Sequence, residues 1–215
     1  MLSNRLAKHF GAAAAAAVVV GSANAAIVCW NVNQAVGATI DGLYMNVETG
    51  VTYDGNNADT NFAGWDINPY GSTTMSFFWS AAANGASACV RLNTVAGGTT
   101  NGSTCSSLPQ GFVISSALVG GASGASFGTG SASFTTTSQG KWSFNALNYF
   151  GFRFTNAAGQ IRYGYGVMQM GATAVDRTLV RVCYEDSGAG ITVVPAPGAM
   201  ALLGLAGVAS RRRRR

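Results

Sequence analysis

The stretch YFGFRFTNAAGQIRYGYGVMQM (residues 149–170) decides the fold class. Aromatic residues occupy alternate positions on both sides of its central turn: Phe150, Phe152 and Phe154 before the turn, and Tyr163 and Tyr165 after it. A period of two residues places such side chains on one face of a strand, and two such runs joined by a short turn predict an antiparallel hairpin. We expect the aromatic face to meet a second sheet, and the interspersed glycines to mark the close approach of another backbone.

Short β-favouring runs between turn residues recur along the rest of the chain. They lie at residues 26–32, 41–49, 64–68, 73–80, 88–93, 111–116, 131–136, 141–144, 149–156, 160–170 and 178–186. No apolar period of 3.6 residues persists among them. The pattern predicts an all-β protein, a single antiparallel β-sandwich or jelly-roll-like domain over residues 26–190. An N-terminal signal helix and a short hydrophobic C-terminal helix would flank this domain. The Gly- and Ser-rich stretch 119–140 indicates a flexible loop or weak edge strands.

The net charge of +5 is concentrated at the two ends of the chain. Arg5 and Lys8 stand near the start, and five arginines close the sequence. Between these ends lie six basic residues: Arg91, Lys141, Arg153, Arg162, Arg177 and Arg181. The same part of the chain holds all eight acidic residues: Asp41, Glu48, Asp54, Asp59, Asp66, Asp176, Glu185 and Asp186. The body is therefore mildly acidic and offers no basic patch for phosphates, which predicts that nucleic acid is not a partner.

The N-terminal segment 1–25 has the three parts of a secretory signal peptide. A basic start is followed by the apolar run GAAAAAAVVV and by small residues at Ala23 and Ala25. The pattern predicts export, with cleavage between Ala25 and Ala26. An N-terminal membrane anchor is the alternative, although the run is shorter than the roughly 20 apolar residues that a spanning helix needs.

Four cysteines in an exported chain predict two disulfides. Three pairings are possible. We favour Cys89–Cys105, which would close a local loop, and Cys29–Cys183, which would join the first strand to the last. A zinc site is the competing interpretation, but the sequence has no C-x-x-C pair, and its one histidine, His9, lies in the signal segment.

Little in the sequence supports an enzyme. Without His9 the exported chain has no histidine to act as the base of a Ser-His-Asp or Cys-His arrangement. A glycosidase needs only two carboxylates beside the scissile bond. Five acidic residues could supply them: Asp54, Asp59, Asp66, Asp176 and Glu185. Nothing in the sequence brings any two of them together.

The loop TYDGNNADTN (residues 52–61) is a weak calcium candidate. Asp54, Asn56, Asp59 and Asn61 are oxygen-bearing residues at close spacing. The loop lacks the spacing and the distal glutamate of an EF-hand, and the same residue types form ordinary turns. No cofactor is expected.

The C-terminal segment has three parts of its own. Residues 191–197 form a linker, in which Pro195, Ala196 and Pro197 break any preceding strand. Residues 198–210 are almost wholly apolar and are followed by Arg211, Arg212, Arg213, Arg214 and Arg215. A helix over the apolar part would reach about 20 Å, short of the roughly 30 Å hydrocarbon core. Because a terminal arginine cluster stays on the cytoplasmic side, residues 198–215 predict a transient inner-membrane anchor. A plain C-terminal anchor is the alternative.

Pro-x-Pro, a short apolar helix and a terminal arginine cluster, in this order, resemble the PEP-CTERM sorting signal of exported bacterial proteins. The resemblance covers residues 194–215, with Ala196 where the family usually has glutamate. It implies processing by an exosortase-type enzyme and transfer to the cell surface or to an exopolysaccharide-rich matrix. More loosely, residues 42–190 resemble the uncharacterised β-rich ectodomains that precede such tails, for which no catalytic residues are implied.

The sequence therefore predicts a non-enzymatic cell-surface or extracellular-matrix protein that associates with exopolysaccharide. The alternative is a carbohydrate-binding module whose stacking platforms are Tyr163, Tyr165, Trp65 or Trp79, although aromatic stripes more often belong to a core. A third possibility is a carboxylate-pair glycosidase.

Overall fold

The computed structural model describes residues 26–55, 62–80, 87–92, 104–119, 124–128, 130–134 and 140–194. The strands in these residues are β1 (Ile27–Ala35), β2 (Leu43–Met45), β3 (Thr52–Asp54), β4 (Ile67–Tyr70), β5 (Ser76–Trp79), β6 (Ala88–Leu92), β7 (Val113–Ile114), β8 (Ala125–Gly128), β9 (Gly130–Ser131), β10 (Leu147–Thr155), β11 (Ile161–Met170), β12 (Arg177–Glu185) and β13 (Ile191–Thr192). One 3₁₀ turn, Ser116–Leu118, is the only helical element described. The all-β, antiparallel prediction is confirmed. The two predicted flanking helices lie outside the described residues.

Two large sheets pack face to face. The first has the strand order β1-β12-β11-β10-β6-β8, and the second has the order β3-β2-β4-β5-β9. Phe150 and Phe152 of β10 meet the second sheet, with ring centroids 4.8 Å from Phe77 and 6.1 Å from Trp79, respectively. The phenylalanine face of β10 therefore lies in the core between the sheets, as the alternation predicts, whereas the tyrosines of β11 lie on the opposite face of the same sheet.

The opposite face of the six-stranded sheet is also covered. A two-stranded ribbon of β7 and β13 contributes Ile114 and Ile191 to a second buried cluster. Tyr163 and Tyr165, on this face of β11, belong to the same cluster and are 5% and 1% exposed. The ribbon places a strand inside the segment 191–197, which sequence analysis assigns to a linker.

The hairpin glycines accommodate aromatic rings. Phe150 is paired with Gly166 across the hairpin, and Phe152 with Gly164. A Cβ atom on either glycine would overlap the ring of its partner. The sequence-based expectation of a close backbone is met at Gly164, where such a Cβ would also lie 2.6 Å from the carbonyl oxygen of Cys183. At Gly166 the neighbour is a side chain, which corrects the expectation.

The structure contains one of the two predicted disulfides. Cys29 and Cys183 are bonded across the neighbouring strands β1 and β12, over a sequence separation of 154 residues. In the chain-entropy model, closing a loop of this length stabilises the fold by about 5 kcal/mol. Cys89 and Cys105 are free, which corrects the second pairing. Both are fully buried, and the Cys89 thiol donates a hydrogen bond to the carbonyl oxygen of Gly128 at 3.2 Å.

A buried arginine joins the start of β12 to the loops of the five-stranded sheet. Arg177 is 2% exposed, and its guanidinium donates hydrogen bonds to four carbonyl oxygens, those of Gly37, Gly71, Thr74 and Ala174, at 2.6 to 3.0 Å. Burial lowers the pKa of Arg177 to about 10. Within the described residues, no helix is long and apolar enough to cross a membrane.

Candidate functional site

The outer face of the five-stranded sheet carries a row of partly exposed aromatic side chains. Five residues form this aromatic row: Phe62, Tyr53, Tyr44, Trp65 and Phe78. Large apolar side chains held at the surface of a sheet are a common feature of binding surfaces. The row is therefore our first candidate for a functional surface.

Ring contacts run along most of the row. Tyr53 stacks on Phe62 with centroids 5.7 Å apart, and Trp65 stacks on Phe78 at 5.5 Å. Tyr44 meets Trp65 edge to face at 5.1 Å. Tyr44 and Tyr53 stand opposite each other in the register of β2 and β3, which joins the two halves of the row. The rings thus cross the sheet from its β3 edge to β5.

Strand alternation explains why these rings point outward. In β2, Leu43 and Met45 are buried in the core, so Tyr44 between them faces the other side. In β5, Phe77 and Trp79 are buried, and Phe78 between them is 57% exposed. Successive strand residues face opposite sides of a sheet, so the same short runs build the core and the row.

A cavity of about 200 Å³ opens beside Trp65, at one end of the sheet. We call it the acidic cavity, because two carboxylates stand in its wall. Its lining residues are Asn46, Glu48, Gly64, Trp65, Asp66, Ser80, Thr155, Asn156 and Ala157. Antiparallel pairing of Met45 with Ile67 brings the residues that follow β2 next to those that precede β4. The last three lining residues come from β10 and the turn after it, so both sheets contribute to the wall.

Asp66 is the buried acid of this cavity. It is 7% exposed, and the backbone N–H of Val47 donates a hydrogen bond of 2.8 Å to its Oδ2. That is the only hydrogen bond to the carboxylate from the described residues. The pKa of Asp66 is raised to about 7: burial is the main cause, the Val47 hydrogen bond partly offsets it, and the neighbouring charge of Glu48 adds to the rise. Removing water from around a carboxylate disfavours its charged form, so Asp66 is a mixture of acid and carboxylate at neutral pH.

Other groups in the cavity wall are held by the fold. Glu48 Oε2 accepts a 2.9 Å hydrogen bond from the backbone N–H of Ala157, which ties the β2–β3 turn to the turn after β10. Asn46 is fixed by donating to the carbonyl oxygen of Gly64 and by accepting from the N–H of Thr49. The hydroxyl of Thr155 is buried and has no hydrogen-bond partner among the described residues.

Charge is unevenly divided between the two sheets. Residues 26–90 hold five acidic residues and no lysine or arginine. Strands β2 to β5 all belong to this range, and β9, which completes the five-stranded sheet, carries no charge. The basic residues of the body lie from Arg91 onward. The segment that supplies strands β2 to β5 is therefore acidic, with no basic residue to offset it.

A second cavity, of about 320 Å³, has Phe78 in its wall. Its lining residues are Tyr70, Ser76, Phe77, Phe78, Trp79, Gly130 and Ser131. The aromatic row thus borders two cavities, the acidic cavity at Trp65 and an uncharged one at Phe78.

Only one of the four aromatic residues proposed from sequence lies at the surface. Trp65 is partly exposed and belongs to the aromatic row. Trp79 is 5% exposed in the core between the sheets, and Tyr163 and Tyr165 are buried under the β7–β13 ribbon. Because these three rings are covered by the fold itself, they cannot stack on a ligand, which corrects the predicted platform.

The five candidate carboxylates do not gather at one site. Asp54 is exposed at the end of β3, Asp176 is exposed before β12, and Glu185 is buried in β12 with Oε1 accepting from the N–H of Ser187. Asp66 meets Glu48, which was not among the five. Asp59 lies outside the described residues.

Other predicted sites are described only in part. Of the calcium candidates, Asn56, Asp59 and Asn61 fall outside the described residues, and among those described no group of three or more acidic, cysteine or histidine side chains could hold a metal ion. The sorting residues Pro195, Ala196, Pro197 and Arg211 to Arg215, and the signal residue Ala25, also lie outside them. Ala26 is described, and its N–H donates to Asp186 Oδ1 at 2.9 Å.

Sequence reasoning missed most of this site. Tyr44, Tyr53, Phe62, Phe78 and Glu48 were not selected as functional residues. The available signal was the run of three aromatics in SFFW and the lone tyrosine in GLYMN, where alternation requires one aromatic residue to face away from the core.

Comparison with known proteins adds no relative. No protein-family model, no curated protein and no solved structure matches this chain.

Proposed function

We propose that the protein is an exported, non-enzymatic cell-surface or matrix protein that binds polysaccharide through the aromatic row. The observation that carries the proposal is the aromatic row itself, which crosses the outer face of the five-stranded sheet beside a polar cavity. Sugar rings present apolar C–H faces and polar hydroxyl edges. Flat aromatic side chains with hydrogen-bonding groups nearby complement both.

The exposure of the row supports binding over a purely structural role. Phe78 is 57% exposed, although the neighbouring positions of β5 place two aromatic rings in the core. Each Å² of apolar surface that stays in water loses about 25 cal/mol of the stabilisation that burial would give. A surface selected only for folding and solubility would carry polar residues at these positions, and a ligand that covers the rings explains why it does not.

Export and sorting complete the proposal. The predicted signal peptide would deliver the body to an oxidising compartment, which agrees with the disulfide between Cys29 and Cys183. The tail that resembles a PEP-CTERM signal would then be recognised by an exosortase-type enzyme and would bring the body to the exopolysaccharide that it binds. Intact mass of the protein recovered from its host tests this part. A chain from Ala26 to near Pro197 is expected, and a chain that keeps Arg215 would contradict sorting.

Affinity electrophoresis through gels that contain single polysaccharides tests the binding. Trp65→Ala and Phe78→Ser should each weaken retention about tenfold or more, because buried aromatic anchors dominate binding energy. Phe144→Ser is the matched control, since Phe144 is 42% exposed and stacks on Phe134, which is not part of the row. Equal loss in all three variants, or no retention of the unaltered protein on any neutral or amino-bearing polysaccharide, would contradict the proposal.

The acidic cavity favours one second candidate, hydrolysis of a glycosidic bond. A carboxyl group with a raised pKa next to an ionised carboxylate is the pair that glycosidases use as acid and as base or nucleophile, and Asp66 and Glu48 stand in one cavity wall. New reducing ends released from a bound polysaccharide, and lost in both Asp66→Asn and Glu48→Gln, would support this candidate. Retention without release would leave the binding function.

A further inference from the structure

We propose that the acidic cavity receives the protonated amino group of an amino sugar, so that the polysaccharide on the aromatic row is one that carries free amines. This inference rests on the proposed function and narrows its ligand class. It is carried by the position of the cavity, by the hydrogen-bonding groups in its wall and by the charge of the surrounding sheet.

The cavity lies where a sugar bound on the row would extend. Trp65 belongs both to the aromatic row and to the cavity wall. A sugar ring that stacks on Trp65 therefore has its substituents at the mouth of the cavity. At about 200 Å³ the cavity has room for a substituent and its hydration, and the indole face beside it attracts a cation.

The wall offers acceptors in the number that an ammonium group requires. A primary ammonium has three N–H donors and no acceptor. Asp66 is nine-tenths buried and receives, from the described residues, only the Val47 bond on Oδ2. Glu48 uses Oε2 for Ala157, and its Oε1 receives no hydrogen bond from the described residues. Each carboxylate thus keeps one oxygen, with two lone pairs, to accept the three protons.

Charge favours an amine over the other common substituents of polysaccharides. A carboxylate or sulfate group would be repelled by Glu48 and Asp66, and none of the residues that line the cavity is basic. A calcium ion takes six to eight oxygen ligands, whereas two acidic side chains face this cavity. A neutral hydroxyl would leave the half-buried Glu48, and the buried Asp66 where it is ionised, without a positive partner.

The substitutions that test the idea keep the shape of the cavity. Glutamine at position 48 retains an oxygen for the N–H of Ala157, and asparagine at position 66 retains one for the N–H of Val47. Each removes one negative charge. Asp54→Asn is the matched control, because it removes one charge from the same sheet at an exposed position outside the cavity lining.

The experiment compares two soluble oligosaccharides of equal length by calorimetric titration at neutral pH: β-linked glucosamine, which carries free amines, and its N-acetylated form. The unaltered protein should bind the amine form about tenfold more tightly or better, as expected for hydrogen bonds to charged groups. Glu48→Gln and Asp66→Asn should lose this preference and still bind the N-acetylated form. Asp54→Asn should keep it.

The outcomes separate this inference from the proposed function. Equal binding of both oligosaccharides by the unaltered protein would overturn the amine site and leave polysaccharide binding in place. Binding of neither, together with no retention in the electrophoresis above, would overturn the proposed function. A preference that Asp54→Asn reduces as much as Glu48→Gln does would assign it to the overall charge of the sheet, and this too would overturn the cavity as the site.

Discussion

Replacing Asp66 with asparagine should change how the stability of the fold depends on pH. The carboxyl pKa is raised from 3.8 to about 7 in the folded protein, first by burial and then by the charge of Glu48. Between these two values the folded chain holds a proton that the unfolded chain has released. Stability supplied by this proton is complete below about pH 4, falls as the pH rises, and is gone above about pH 7.

The size of the effect follows from the change in pKa. At about 1.4 kcal/mol for each pH unit, the rise from 3.8 to about 7 corresponds to about 4 kcal/mol between the two ends of the window. Asparagine is neutral at every pH and keeps an acceptor for the N–H of Val47. The free energy of unfolding of the variant, relative to that of the unaltered protein, should therefore rise by about 1.4 kcal/mol for each pH unit across the window.

Urea unfolding followed by tryptophan fluorescence, at steps from about pH 4 to about pH 8, measures both free energies. Asp176→Asn is the control for loss of one exposed carboxylate. Glu48→Gln should narrow the pH range over which stability falls only slightly, because burial is the larger cause of the raised pKa of Asp66. If the curves of Asp66→Asn and of the unaltered protein run parallel, Asp66 is ionised in the fold throughout, and the argument from burial is refuted.

Three further predictions concern the fold. Cys89 and Cys105 are both fully buried, and burial also raises the pKa of Cys105, so both thiols should resist thiol reagents in the native state and react after denaturation without reductant. Four reactive thiols would contradict the interstrand disulfide, and none would show a second one. Gly166→Ala should destabilise the fold by about 1–3 kcal/mol in thermal or urea unfolding, since its Cβ overlaps the ring of Phe150; an unchanged midpoint would contradict the packing. Arg177→Lys should cost about 3–5 kcal/mol, because an ammonium cannot reach all four carbonyl oxygens, and a loss under about 1 kcal/mol would mean that these bonds contribute little.

Alternation in the sequence predicted which residues share a face, but not which faces are covered. The hairpin 149–170 forms as the pattern indicates, with Phe150 and Phe152 in the core between the sheets. Tyr163 and Tyr165 point to the other side, and a solvated face there was a reasonable alternative. They are buried because β7 and β13 return to cover that side. Strand β7 lies inside the predicted run 111–116, but β13 is a two-residue strand in a segment assigned to a linker, and no local signal pairs the two. This third layer could therefore not be predicted.

The acidic cavity could not be predicted for a related reason. Glu48 and Asp66 belong to different turns, and they meet because Met45 pairs with Ile67. Pairing between β2 and β4 skips the strand that lies between them in sequence, and nothing in the composition of either strand specifies that choice. Residue types can indicate a carboxylate pair in general, but the register of the sheet determines which two carboxylates form it.

The two outer faces of the sandwich explain where a binding function can reside. On the six-stranded sheet, a ribbon and its connecting residues cover the outward tyrosines, so those rings stabilise the fold and are closed to a ligand. On the five-stranded sheet, the described residues leave Phe78 largely exposed and Trp65 partly so. Both faces have aromatic side chains at alternating positions, and only the cover differs. Because covered rings cannot reach a ligand, the open face is the one on which the proposed binding can take place.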